Sequence, residues 1–168
     1  MSIADSLLPE FDRETGLTRQ LLERVPTEKA GWKPHPKSFS LGDLSLHIAN
    51  LLTWAVSTMK QTEFDVNPPG GPGFVPAKFE SSAATLKVLD ENIRTTRSVI
   101  AGATDGEMMV MWTFKNGGKT IFSMPRVAVI RSFVMNHMIH HRGQLTVYLR
   151  ELDVPLPQMY GPTADSPM

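Results

Sequence analysis

Pro125 and Pro155 bound the longest stretch in which the chain can stay helical, from Arg126 to about Asp153. Near its middle lies Asn136-His137-Met138-Ile139-His140-His141-Arg142-Gly143-Gln144. Three of the chain's five histidines fall there. His137 and His141 are four residues apart, so a helix places one above the other on the same face. Taking His137 as reference, Ile130, Phe133, Val134, His141, Gln144, Tyr148 and Leu152 share a stripe of about 100° at the ideal helical period. The first half is apolar on its back as well, in Met135, Met138 and Ile139. A helix apolar on both faces is covered on both, and the simplest cover for the second face is another copy of the chain.

The rest of the sequence supplies partners for this helix. Residues 3–25 carry Leu7, Phe11, Thr18, Leu21, Leu22 and Val25 at three- and four-residue spacing, and Pro26 ends the pattern. The stretch 27–39 holds Gly31, Pro34 and Pro36 and reads as an ordered loop, with Trp32 tucked back and His35 on the surface. Ser40-Leu41-Gly42-Asp43 has capping-box spacing and opens a second helix predicted to reach about Glu63. On it Leu44, Leu51, Trp54 and Thr58 fall on the side of His47, which therefore points toward the core. Pro68-Pro69-Gly70-Gly71-Pro72-Gly73 makes residues 64–79 a long crossover loop. A third helix, about 80–101, starts at Ser81 or Ser82, turns Leu86, Leu89, Ile93, Thr96 and Ile100 inward, and closes at Gly102. Residues 104–124, with a turn at Asn116-Gly117-Gly118, fit either a short hairpin or an irregular loop. Four amphipathic helices with one long crossover predict an all-α, four-helix-bundle fold in one domain over residues 1–168.

Composition removes several function classes. The formal net charge is zero, which argues against a sequence-independent nucleic-acid binder, since that would need a basic surplus. No apolar run approaches the roughly 20 residues that cross a bilayer, and Asp5, Pro9, Glu10 and Asp12 interrupt any N-terminal apolar segment. A cytoplasmic protein with no membrane partner is the expectation. There is no cysteine, hence no disulfide, no thiolate ligand and no protein thiol nucleophile. A zinc-class metal would have to be held by histidine and carboxylate.

His47 on the second helix and the pair His137 and His141 on the fourth all face the interior, and bundle cores are a recurrent place for metal sites. Three neutral imidazoles leave a fourth position open, as in catalytic zinc sites. Imidazole also suits nickel, iron and manganese. The rival is a hydrogen-bonded polar cluster without metal, against which stands the cost of about 1–3 kcal/mol for each unpartnered buried ring. His140 lies about 60° off the stripe and is read as a non-ligand. Met138 stands where the zinc-peptidase HExxH pattern would place glutamate. The ten methionines are read as core filler, and Gly70-Gly71-Pro72-Gly73 lacks the lysine of a phosphate loop.

Leu21-Leu22-Glu23-Arg24-Val25-Pro26, Trp32 through Ser40 and Leu46-His47-Ile48-Ala49 resemble the N-terminal half of the DinB (damage-inducible) family. His137-Met138-Ile139-His140-His141-Arg142-Gly143-Gln144-Leu145, then Tyr148-Leu149-Arg150, resemble its second half more closely, and Val154 to Asp165 is similar to its ending. The resemblance implies a DinB/YfiT-like bundle, often a homodimer, with a divalent metal on His47, His137 and His141. Relatives include metal-dependent transferases that use low-molecular-weight thiols. Thr163 and Ser166 depart from the residues common in the family's tail.

Two functional classes follow. The first is a metal-dependent enzyme that activates a low-molecular-weight thiol or water against a small-molecule substrate, as a thiol S-transferase or a hydrolase, with zinc or nickel ahead of iron or manganese. The second is a non-catalytic metal- or ligand-binding stress-response dimer. Trp54, Gln144, Tyr148 and Tyr160 are candidates to line the pocket.

Overall fold

The computed structural model describes residues 1–167. Helix α1 (Ile3–Leu22) opens on a reciprocal capping box: Ser2 Oγ accepts from the Asp5 N–H, and the Asp5 carboxylate accepts from the Ser2 N–H. A 3-10 turn (Thr27–Lys29) leads into the proline loop, which is tied to the next helix by Leu41 N–H on Trp32 O and Gly42 N–H on Ala30 O. Ser40 caps α2 (Leu41–Asn50) by accepting from the Asp43 N–H. The second helix does not run unbroken to Glu63. It gives way at Leu51-Leu52 to a separate α3 (Thr53–Lys60). Helix α4 (Ser82–Ala101) is capped by Ser81 and closed by Gly102, and a short α5 (Asp105–Met108) has its own box between Thr104 and Glu107.

After Pro125 the chain is helical without interruption through α6 (Arg126–Ala128), a π-helical segment (Val129–Met135) and α7 (Asn136–Glu151). Helix α1 packs on α4 and α7, and α2 packs on the same two. Leu7, Phe11, Leu21, Leu44, Ile48, Leu89, Ile100, Val134, Leu145 and Leu149 meet in their shared core. Met135 and Met138, which seemed to need a second subunit, are buried inside this one chain. They give no support to a dimer interface.

The expected all-α four-helix bundle is overturned by a three-stranded mixed sheet, so the fold is mixed α/β. Strand β1 (Glu63–Asp65) pairs in parallel with β2 (Met111–Asn116), which pairs antiparallel with β3 (Lys119–Pro125). The β2–β3 hairpin closes on Gly117 and Gly118, both at positive φ (61° and 78°), as a two-residue primed turn requires. The Asp65 carboxylate accepts the N–H groups of Gly117 (3.0 Å) and Gly118 (2.7 Å), so β1 is fastened to the hairpin tip. Trp112 is fully buried, and Phe114, Phe122 and Met124 turn partly inward, while Met111 and Ile121 face out. The inner face packs on α3 and the π segment through Trp54 and Phe133.

One ion pair lies inside this assembly. Arg142 Nη2 donates to Glu14 Oε2 at 2.6 Å, with side-chain exposures of only 3% and 7%. Arg142 Nη1 donates to Glu14 O and to Thr18 Oγ1, and the Tyr160 hydroxyl donates to Glu14 while accepting from Arg142. Removing one partner of such a pair strands a buried charge. Arg142→Ala should therefore cost about 3–5 kcal/mol in urea denaturation. The double replacement Glu14→Leu with Arg142→Met should recover most of that loss. An Arg142→Ala protein as stable as the parent would contradict the role given to the pair.

Candidate metal centre

Helix α2 carries His47, and α7 carries His137 and His141 one turn apart. The structure brings the three together: one ring nitrogen from each lies within 4.8 Å of the others. His137 Nε2 and His141 Nε2 are 2.9 Å apart. The His47 ring sits 4.7 Å from that of His141 and 5.4 Å from that of His137, nearly perpendicular to the former. Phe39 stacks on the His47 ring at 5.5 Å and 22°. His140 is exposed at the edge of His141 and His35 is exposed on its loop; neither joins the group.

Hydrogen placement shows which nitrogens turn toward one another. His141 Nδ1 lies 2.7 Å from Gln144 Oε1, an acceptor, so Nδ1 bears the proton and Nε2 the lone pair. That lone pair meets His137 Nε2. A divalent cation beside the two Nε2 atoms would take both lone pairs in place of the proton between them. Two nitrogens on one tetrahedral ion with bonds of about 2.0–2.1 Å stand roughly 3.3 Å apart, close to the separation here. Gln144 behind His141 is placed as the outer partner that would orient a ligand imidazole.

Electrostatics favour the donor form. Burial, and then the neighbouring His141 and His137, push His47 down to about 4. His137 is lowered mainly by burial and by His141, and His141 mainly by burial, opposed by its bond to Gln144. All three are neutral at neutral pH, as metal ligation requires. The donor set fits a divalent ion.

A cleft of about 750 Å³ opens beside the cluster, with His47 and His137 in its wall. Trp54, Phe74, Val75 and Phe133 supply apolar lining, and Asp43, Asn50 and Lys78 the polar part. Of the residues predicted to line it, Trp54 does. Gln144 holds His141, while Tyr148 packs edge-on against Trp32 and donates to Phe39 O at 3.3 Å. Tyr160 belongs to the Glu14–Arg142 pair. Phe39 and Phe74 were missed, because both lie in loops where periodicity carries no information. A smaller depression, about 480 Å³, lies between α1 and the C-terminal tail at Gln20, Arg24 and Pro157, and no histidine lines it.

The model of the DinB family matches residues 80–167, slightly more than half of the chain. The chain belongs to the DinB family. His137 and His141 lie within the matched segment and His47 before it, so His47 joins the centre by geometry alone. A DinB-like protein from Bacillus cereus ATCC 10987 has a similar crystal structure (TM-score 0.71, 22% identity, 95% of this chain and 98% of that one covered). So has the DinB-like protein YjoA of Bacillus subtilis (0.69, 19%, 92% and 96%). At these identities the likeness concerns the fold of this DinB-family chain. No curated protein matches it. Among the described residues no helix is long and apolar enough to cross a membrane.

The depressed pKa of His47 has a measurable consequence. Between its folded value of about 4 and the ordinary 6.5, the unfolded chain binds a proton that the folded chain refuses. This contribution to stability is complete above the ordinary value and is lost as pH falls toward the folded one. The urea midpoint of metal-free protein should therefore drop from about pH 7 to about pH 5. His47→Gln should flatten that slope; an unchanged slope would contradict the burial argument.

Proposed function

We propose that this DinB-family chain is a metal-dependent enzyme in which His47, His137 and His141 hold a divalent ion, zinc or nickel ahead of iron or manganese. The observation that carries the reading is the pair of Nε2 atoms at 2.9 Å with His47 beside them, one ring nitrogen of each of the three lying within 4.8 Å of the others. When bound, the ion supplies Lewis acidity, which lowers the pKa of a thiol or water at a position that no protein ligand fills. The chain's residues set the conditions for this. Gln144 holds His141 in the tautomer with its Nε2 lone pair free, and Phe39 covers the His47 ring. Trp54 and Phe133 line the cleft beside His137 and displace water from it.

The chain has no cysteine, so a thiol nucleophile has to come from outside, as a low-molecular-weight thiol attacking a small electrophile. Hydrolysis is the second reaction the same donor set serves.

Protein purified without an affinity tag should contain about one equivalent of metal by elemental analysis. His47→Ala, His137→Ala and His141→Ala should each lose it, and Gln144→Ala should weaken binding by about 10–100-fold. Parent-like metal content in all three histidine variants would refute the site. Transfer of several thiols to 1-chloro-2,4-dinitrobenzene should stop on chelation and return with metal. Turnover that survives chelation would refute the enzyme reading.

A further inference from the structure

The cleft has an aromatic geometry that narrows what it can hold. Trp54 makes three edge-to-face contacts, with Phe64 at 5.0 Å, Phe133 at 5.4 Å and Phe114 at 5.6 Å, at interplanar angles of 77°, 88° and 75°. These hold the indole of α3 from the sheet, through Phe64 and Phe114, and from the π segment, through Phe133. Its fourth aromatic neighbour is different. Phe74 is 6.4 Å away, tilted at 45°, 56% exposed, and sits on the loop between β1 and α4. Val75 beside it is 83% exposed, yet both line the cleft. Large apolar side chains left this open at the wall of a concave site mark where a ligand's apolar surface would be covered.

The loop is anchored at Phe74 itself, whose N–H donates to Val66 O at 2.9 Å, and at Phe79, which packs so closely on α2 that a Cβ on Gly42 would lie 2.8 Å from its ring. The exposed Phe74 side chain can still turn about its own bonds. Two rings that clasp a flat guest stand about 7 Å apart, twice a van der Waals contact. A clasp would have Phe74 turn from its 45° tilt toward parallel with the indole, at a centroid separation near the 6.4 Å found here. The lining has one carboxylate, Asp43, and one ammonium, Lys78, so the wall carries no net charge. Asp43 is also engaged by the Ser40 hydroxyl at 2.6 Å.

We infer that the cleft takes an uncharged molecule with a planar aromatic ring, clasped between the Trp54 indole and the Phe74 phenyl, and that Phe74 is the residue that selects it. The inference rests on the proposed function only for what the ring's substituent meets, since His47 and His137 share the wall. The clasp itself needs no metal.

Titration calorimetry of the full chain, first metal-free and then with zinc, tests the clasp using 2-naphthol and its saturated counterpart decahydro-2-naphthol. The flat alcohol should bind about tenfold more tightly, because only it gains two ring–ring contacts. Phe74→Ser, a change at an exposed position that does not endanger the fold, should cost about tenfold for 2-naphthol, and Phe74→Tyr should keep the affinity. Equal binding of the two alcohols, no binding of either, or an unchanged Phe74→Ser protein would overturn the inference. A naphthol preference in a protein that takes up no zinc would uphold the clasp and refute the metal reading; zinc uptake with no preference would do the reverse.

Discussion

The burial of Arg142 decides where its neighbour His141 points. Successive residues on a helix are about 100° apart, so a helix that aims residue 142 at one neighbour aims residue 141 at the next. Arg142 lies against Glu14 and Thr18 of α1, where rotating the helix would leave a charge stranded. A buried ion pair of this kind adds little net stability, but the penalty for breaking it is large, and that penalty specifies orientation. With α7 held in this rotation, His141 and His137 face α2 and meet His47. The histidine centre is therefore a consequence of an interaction on the other side of the same helix.

The π segment serves a second demand. Phe133 must reach the sheet and Trp54, while Val134 and Met135 must stay in the core. Three consecutive residues of an α-helix fan out over about 200°, so reaching both surfaces asks much of a regular turn. The wider π turn keeps the backbone bonded while it spreads its side chains over two packing surfaces. The same stretch closes one wall of the cleft, since Phe133 and His137 both line it. The sheet thus acts on the site at one remove: it supplies Phe114 and Phe122, which hold Phe133, which stands beside His137.

What was legible in the sequence was short in range. The Ser40 and Ser81 caps, the Gly102 stop, the Gly117-Gly118 turn and the inward direction of His47 each depend on a few neighbouring residues, and each is found in place. Strand β1 is three residues long, too short to show alternation, and its partner Thr113–Lys115 lies far along the chain. The all-α reading failed there, on a remote pairing of backbone ladder, the Glu63–Lys115 ion pair and the Asp65 carboxylate at the hairpin tip. The back of the last helix was legible as buried, in Met135 and Met138, but periodicity could not show that this chain itself covers them. Arg142 offered a signal that was passed over: a charged residue between His141 and Leu145, in a segment read as buried.

Seen together, the two clusters on α7 have opposite electrostatic characters. Arg142 and Glu14 are charged and mutually satisfied, so they hold α1 to α7. The three histidines are neutral, with ring nitrogens gathered together in the seam between α2 and α7. Packing alone would favour filling that seam with apolar side chains, as along the rest of the two helices. Three imidazoles there hold polar rings where apolar packing would serve, and burial keeps each ring unprotonated as the pH falls below the ordinary histidine range. On the proposed reading a divalent ion repairs this seam, because a ligand that binds only the folded state adds its binding free energy to folding. On that reading the residues that close the seam between α2 and α7 are also the chemically active ones.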